Sequence, residues 1–452
     1  MADPREREKL LRFAPPGPLL GILRTLRERG HEAWLVGGAV RDLLRGETPA
    51  EYDVATSARP EEVATLFERV VETGLAHGTV TVVEEGLACE LTTYRAGRAY
   101  AAEGGGFVST IEEDLAMRDF TVNAMAFDPL DGRFLDPHGG VADLEAKCIR
   151  AVGDAAARFE EDPLRPMRAA RFAARFGFRI ERATRRAMPR FVERFRGVAA
   201  ERIGAELEKI LVSPHPRYGI EILRRTGYLS VFLPELLEGL GLRQNRWHRY
   251  DVYHHVLRAL DAAAPDLVVR LAVLLHDIDK PRTVAPSAKR PGENTFYGHE
   301  VSGAARAKEI CRRLRFSGRI AEEVGLLVRE HQFAYTEEWK DAAVRRMLAR
   351  VGPSFERLLQ VRRADILGHG RNVEEGLENL RALENRARAL MAEKPALQIR
   401  DLAVDGRDVM RVLGIGPSPE VGRVLKELLD AVLEDPRRNQ RETLLERLAE
   451  RR

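Results

Sequence analysis

Residues 35–58 read "LVGGAVRDLLRGETPAEYDVATSA", and the fold of the N-terminal part turns on how they are read. A short buried strand, 33–36, runs into Gly37-Gly38, and a helix starts at Ala39. Such a turn lets backbone N–H groups approach a phosphate closely. Arg41, in the first helical turn, adds a charge-assisted contact. Further on, Glu51 and Asp53 stand two apart on a second strand, so both carboxylates face one side of the sheet. Paired acids repel unless a cation lies between them, and Mg²⁺ held by carboxylates and substrate phosphates fits that need. For the glycines alone, a tight turn beside a surface Arg-Asp pair is the plain alternative.

Working outward, a helix is expected over 18–29 and further strands over 53–55, 79–83, 90–93 and 123–127, with Gly104–Gly106 as a flexible loop. After Gly153 the periodicity becomes helical almost throughout, apart from the loop "APSAKRPGENTFYGH". The fold class expected is α+β: a head with a small mixed sheet, then an all-α neck and body. At 452 residues the chain is too long for one core. Its 73 basic and 70 acidic residues leave a net charge of +3, so any nucleic-acid contact has to come from local basic patches. Cys89, Cys148 and Cys311 are far apart and make neither a disulfide framework nor a zinc cluster. With no apolar h-region and no 18-residue apolar run, the chain reads as soluble and cytoplasmic, with no membrane partner.

Six stretches in order carry a resemblance: the opening one, "HGTVTV" (77–82), "EEDLAMRDFTVNAMAFDP" (112–129), "LDPHGGVADLEAK" (135–147), "RFEEDPLRPMRAARFAARFGF" (158–178) and "ERIGAELEKIL" (201–211). Together they resemble the bacterial tRNA nucleotidyltransferases and poly(A) polymerases. The resemblance implies that Gly37, Gly38 and Arg41 hold the triphosphate and that Glu51 and Asp53 are the catalytic metal acids. It places Arg118 and Asp119 near the ribose. Two Mg²⁺ ions about 3.5–4 Å apart would then activate the RNA 3′-hydroxyl and stabilise the leaving pyrophosphate.

Asp162 and Arg165 are three apart, a spacing that puts both on one helix face. Asp only accepts hydrogen bonds and Arg only donates. Cytosine and adenine each show an amino donor beside a ring-nitrogen acceptor and match this pair, whereas uracil and guanine meet like with like. A mismatch leaves buried groups unpaired, at about 1–3 kcal/mol each. In the resembling family this pair reads the base, and Arg168 and Arg171 extend the nucleotide contacts. Pro166 sits within the expected first turn, where it biases Arg165 away from helical geometry.

The body holds "DVYHHVLRAL" (251–260), "LAVLLHDIDKP" (271–281), "GHE" (298–300) and "VREHQF" (328–333). His276-Asp277 after an apolar helix looks like an HD-type metal phosphohydrolase, whose pattern implies His255, His276, Asp277 and Asp365 as ligands of a second divalent metal, with His299 and His331 lining the site. Asp279 stands where that family usually has glycine. The arginine-rich helices from 371 onward read as solvated faces, some able to grip phosphates of a tRNA acceptor arm.

The expected organisation is a nucleotidyltransferase head at 1–150, a helical neck binding nucleobase and RNA at 151–245, an HD-type helical domain at 246–370 and a helical tail at 371–452. The expected activity is template-independent addition of C and A to the tRNA 3′ end from CTP and ATP. Two narrower activities stand beside it, CC-adding and A-adding. CC-adding is favoured because "YRAGRAYAAEGGGFVST" (94–110) lacks the paired arginines followed by proline common there. From another class comes a metal phosphohydrolase acting on 2′,3′-cyclic or 3′-phosphate RNA ends.

Overall fold

The computed structural model describes residues 9–74, 78–94, 108 and 110–451. The chain divides into two units, Met1–Phe232 and Leu233–Arg452. The Gly104–Gly106 loop and most of 94–110 lie outside the described residues.

Unit 1 begins with α1 (Gly17–Glu28), β1 (Ala33–Val36), α2 (Gly38–Leu44) and β2 (Tyr52–Thr56). Then come α3 (Pro60–Leu66), β3 (Val70–Gly74), β4 (Thr79–Glu84), β5 (Leu87–Thr93), α4 (Ile111–Ala116), β6 (Ala126–Asp128), β7 (Arg133–Leu135) and α5 (Gly140–Glu145). The seven strands form one sheet in the order β3-β4-β5-β2-β1-β6-β7. Only the β2–β5 pair is parallel, so the sheet is mixed, as expected. Strand β1 is buried along its whole length, which explains why its sequence, AWLV, does not alternate. Two registers position the site. Val36 pairs with Asp53, which brings the Gly37 turn beside that acid, and Asp53 pairs with Glu90 on β5.

Strands β3 and β7 went unread in the sequence, and the segment expected as one strand from 123 is a short 3₁₀ turn, Thr121–Asn123, followed by β6. At this turn Thr121 Oγ1 donates to Asp143 at 2.7 Å and Asn123 Nδ2 to Asp119 at 3.0 Å.

The rest of unit 1 comprises β8 (Cys148–Ile149), α6 (Ala155–Glu161), α7 (Arg165–Phe176), β9 (Arg179–Ile180), α8 (Ala200–Leu211) and α9 (Pro216–Arg225). The β8–β9 pair is parallel and ties the end of the head to the chain leaving α7. Gly177 ends α7 with φ +68°. Gly219 on α9 lets that helix close on α7, since a Cβ there would lie 3.0 Å from that of Ala174. The three cysteines are free and buried, and Cys89 donates its thiol to the Tyr52 carbonyl at 3.1 Å.

Unit 2 is built from α10 (Val252–Ala262), α11 (Leu267–Leu275), α12 (His299–Arg313), α13 (Gly318–Glu330), α14 (Asp341–Val351), α15 (Phe355–His369) and α16 (Val373–Ala392). Helix α11 is buried from Val268 to Leu275, as an all-round apolar helix must be. A separate apolar core joins α17 (Gly406–Leu413), α18 (Pro419–Glu434) and α19 (Arg441–Ala449). The expected loop at 285–299 contains a minimal hairpin, Ala285–Pro286 with Asn294–Thr295. No helix among the described residues is long and apolar enough to cross a membrane.

Candidate active site

Gly37 adopts φ +67°, and a Cβ on it would sit 3.0 Å from Arg118 Nη1 and 3.4 Å from Asp53 Oδ2. The bare backbone therefore lets a cation and an acid approach the turn together. Arg118 is held there by Asp114, whose Oδ2 accepts from Nε and Nη2 at 3.1 and 3.0 Å. Arg41 is buried rather than reaching outward. Its guanidinium folds back so that Nη2 lies 3.3 Å from a Cβ built on Gly38. Asp42 accepts from it at 2.9 Å, and the Phe176 ring centroid lies 4.8 Å away. Burial lowers the Arg41 pKa, and Asp42 works against that shift.

Asp53 lies in β2 and is partly buried, whereas Glu51 is exposed and precedes the strand. The two acids thus do not share one regular strand, as the alternation had suggested. Burial pushes the Asp53 carboxyl up, Glu90 and Glu51 add to the rise, and Arg118 and Arg41 oppose it. Glu90 is an acid that the sequence reading missed. It lies 37 positions away in the chain, at the start of the expected strand 90–93, and the parallel pairing that brings it to Asp53 had no signal in the sequence. Carboxylate oxygens are the hard donors that Mg²⁺ takes, but among the described residues Glu51, Asp53 and Glu90 do not come together as one group of ligand atoms.

Asp119 accepts from the Phe120 N–H at 2.8 Å and from Asn123 Nδ2 at 3.0 Å. Its other oxygen takes Arg168 Nε and Nη2 at 2.8 and 2.5 Å. Burial alone would raise this carboxyl, but Arg168 and Asn123 hold it well below the usual range. Arg171 donates to Glu206 of α8 at 2.7 Å. The "LDPHGG" stretch serves this turn from behind. Asp136 accepts from the Gly140 and Val141 N–H groups at 2.6 and 3.0 Å, and Asp143 accepts from Thr121 Oγ1 at 2.7 Å. A Cβ on Gly140 would lie 2.4 Å from the Thr121 carbonyl, so only glycine allows the contact.

Asp162 and Arg165 do not share a helix. Asp162 caps the end of α6, and Arg165 opens α7. Asp162 Oδ2 accepts from Arg202 at 2.7 Å, while Arg165 donates to Glu161 at 2.8 Å and to the Met117 carbonyl at 3.0 Å. Pro166 is the second residue of α7, where a missing N–H costs little, and it does not displace Arg165 from the helix.

In unit 2 the structure brings His255, His276, Asp277 and Asp365 together, all buried. His255 Nε2 lies 3.1 Å from His276 Nε2, 3.4 Å from Asp277 Oδ2 and 3.1 Å from Asp365 Oδ1. His299 and His331 face the other oxygen, with Nε2 atoms 3.4 and 3.9 Å from Asp277 Oδ1. Three rings are fixed by the same device. Nδ1 of His276, His299 and His331 meets the carbonyl three residues back, at 2.7, 2.6 and 2.6 Å. That bond turns each Nε2 inward, the orientation a metal ligand needs. Burial lowers His276, but Asp277 and Asp365 outweigh it and raise that imidazole to about 10, so a metal would have to displace its proton. Neither Asp277 oxygen nor His299 Nε2 has a well-formed hydrogen bond, although all three are buried; Asp277 Oδ2 is nevertheless ion-paired with Lys280 Nζ at 2.7 Å. Asp277 Oδ1 and His299 Nε2, 3.4 Å apart, are left as donor atoms that fit a cation. Burial lowers His331 to about 3, so it stays neutral. Although burial opposes it, His276 and Lys280 hold Asp277 ionised.

Two further histidines, His248 and His369, extend the cluster on the side of His255. The sequence reading missed both: His369 stands four residues after Asp365 on α15, with Nε2 3.2 Å from Asp365 Oδ1, a helical spacing that could have found it, while nothing in the spacing signals His248. A cavity of about 550 Å³ opens over the cluster, with Lys280, Arg362 and Arg371 on its wall. Asp279 forms its turn at φ −103° and binds Arg306 at 3.0 Å, so glycine is not required there.

Sequence families match in chain order: "Poly A polymerase head domain" at residues 33–150, "Probable RNA and SrmB- binding site of polymerase A" at 177–240, and "tRNA nucleotidyltransferase domain 2 putative" at 299–448. The CCA-adding enzyme of Geobacillus thermodenitrificans is 44% identical over 236 residues, 51% of this chain and 58% of that protein, so this match spans little more than half of the relative. The CCA-adding enzyme of Geobacillus kaustophilus is 33% identical across 96% of both chains. The A-adding tRNA nucleotidyltransferase of Deinococcus radiodurans is 34% identical over 88% of this chain and 91% of that one. Among solved structures, the Bacillus stearothermophilus CCA-adding enzyme in complex with CTP superimposes with a TM-score of 0.73 at 30% identity, covering 97% and 98% of the two chains. On the full-length matches and the order of its domains, the chain belongs to the bacterial tRNA nucleotidyltransferase and poly(A) polymerase family.

Proposed function

We propose that the protein adds C and A to the 3′ end of tRNA from CTP and ATP, without a template and with Mg²⁺, releasing pyrophosphate. The observation that carries this reading is the convergence of Asp53 and Arg118 on the bare Gly37 backbone, with Glu51 and Glu90 close enough to raise the Asp53 pKa. Bound Mg²⁺ supplies charge neutralisation for a hydroxyl attack on the α-phosphate. The chain's own part is to position. Gly37, Gly38 and Arg41 cradle the triphosphate, Glu51 and Asp53 hold the ions, Arg118 and Asp119 orient the ribose, and Arg168 and Arg171 flank the nucleotide. Asp162 and Arg165 exchange Arg202 and Glu161 for the Watson–Crick edge of C or A. In this reading residues 1–150 are the head, 151–245 the neck, 246–370 the HD-type domain and 371–452 the tail that meets the acceptor arm.

CCA addition is tested with labelled CTP, ATP or both on tRNAs ending before, within and after CCA. Incorporation of C and then A supports it. Activity only on tRNA already ending in CC gives the A-adding alternative, which the Deinococcus relative favours. Arrest after two C residues gives the CC-adding one.

A second reading rests on a separate observation, the buried Asp277 Oδ1 and His299 Nε2 without a hydrogen bond among imidazoles locked by backbone carbonyls. His255, His276, Asp277 and Asp365 would hold a divalent transition metal or Mg²⁺, and the overlapping set Asp277, His299 and His331 could share it. The chemistry supplied is hydrolysis of a phosphoester, for which phosphate release from 2′,3′-cyclic or 3′-phosphate RNA ends without NTP is the test.

A further inference from the structure

Asn123 lies buried between two groups of opposite charge in the head, and it carries no role in the reading above. Its Oδ1 accepts from Arg41 Nη1 at 2.5 Å, and its Nδ2 donates to Asp119 Oδ1 at 3.0 Å. An amide presents one acceptor and one donor in a single plane. Turned over, it would aim its NH₂ at a guanidinium and its carbonyl at a carboxylate, so the partners themselves fix its orientation.

The contact is one link in a longer chain of side chains. Asp119 passes to Arg168 on α7, and Arg168 lies 4.0 Å from Glu206, which holds Arg171 at 2.7 Å. Cation, amide, anion and cation thus run from the Gly37-Gly38 turn to the helix that flanks the nucleotide. With Nε and Nη2 on Asp42 and Nη1 on Asn123, the Arg41 guanidinium still has N–H groups to spare for a ligand. What Asn123 fixes is the direction in which those groups point.

We propose that Asn123 is a positioning residue for nucleotide binding, holding Arg41 at the triphosphate end in register with Asp119 and Arg168 at the other. The proposal rests on the reading of the head as a nucleoside triphosphate site. An amide accepts and donates through two separate atoms without a change of charge, whereas a hydroxyl of similar size has one oxygen for both. An aspartate would set two carboxylates face to face, and a leucine would leave one N–H of Arg41 unpaired and take from Asp119 Oδ1 one of its two donors, the Phe120 N–H remaining.

Full-length Asn123→Leu and Asn123→Asp are compared with the unchanged protein for CTP affinity, tRNA affinity and thermal melting, with kcat and KM for CTP measured in parallel. The Kd for CTP is expected to weaken about ten- to a hundredfold in both variants, a loss the size of one buried bond to a charged group. Affinity for tRNA should change less than about twofold. A double-mutant cycle with Arg168→Lys should be non-additive, because both changes break one relay. A CTP affinity that does not move, parallel losses for CTP and tRNA, an additive cycle, or unfolding of both variants would each overturn the proposal. Should the unchanged protein bind CTP yet incorporate none, the proposed activity fails while the affinities still decide the role of Asn123. A protein that binds no nucleotide at all would remove both.

Discussion

The head turn and the histidine cluster hold their charges in opposite ways. At Gly37 the acids are exposed or partly buried, Asp53 and Glu90 lie on neighbouring strands with Glu51 just before the first, and burial raises Asp53 with Glu90 and Glu51 adding to it. In unit 2 His255, His276, Asp277, His299, His331 and Asp365 are all buried, and backbone carbonyls fix three of the rings. The first arrangement leaves room for ions that come and go with the substrate, since Mg²⁺ keeps much of its own water. The second has its rings oriented in advance by the backbone, the order of assembly that favours retention of a ligand. The two groups lie in different units.

The strongest way to break this comparison is to remove one donor from each centre. Asp53→Ala is expected to reduce CTP incorporation by about 10³-fold or more, whereas His276→Ala leaves it within about twofold. Loss of incorporation in a folded His276→Ala protein would show that the centres are not independent. Next in size is metal retention. Asp277→Asn should weaken divalent-ion affinity of the full chain by about a hundredfold, read by metal analysis after dialysis against a graded chelator. Unchanged retention would mean that the cluster is a polar core and nothing more.

Smaller effects sharpen the picture of the head. Glu51 is exposed and precedes β2, so its carboxylate has freedom to adjust. Glu51→Asp should therefore alter the incorporation rate by about tenfold or less, and a hundredfold gain would reveal a poorly placed metal ligand. The smallest expected effect is on pH. Asp53 is raised in the folded state, so activity that needs its ionised form falls as pH drops through that raised value. Glu90→Gln removes one of the charges that raise it. The acid limb of kcat/KM should then move to lower pH by less than about one unit, and a limb that moves upward contradicts the assignment of Glu90. The same shift has a stability sign: the proton-bound Asp53 favours the fold, an advantage lost as pH rises through the folded-state pKa.

Much of this was legible in the sequence where chemistry is local. The Gly37-Gly38 turn, Asp53 on its strand and His276-Asp277 after an apolar helix are contiguous patterns that survive translation into three dimensions. Glu90 was not legible because a parallel register with a distant strand brought it to Asp53. The Asp162/Arg165 pairing on one face failed because a helix break falls between them, and Pro166 marks the second position of the new helix rather than a defect in an old one. His248 joined the cluster from another segment, which spacing along the chain cannot foresee, whereas His369 stands one helical turn after Asp365 and was legible there.

The cysteines turn from passive core residues into an experimental handle. Cys89 and Cys148 lie in unit 1 and Cys311 in unit 2, all buried and free. Burial pushes Cys89 and Cys311 up to about 12 and raises Cys148 as well. At neutral pH none offers a thiolate to an alkylating reagent while its surroundings stay closed. Modification of each thiol therefore times the opening of its own neighbourhood, and site-resolved mass spectrometry can follow the two halves of the molecule separately without introducing a single probe.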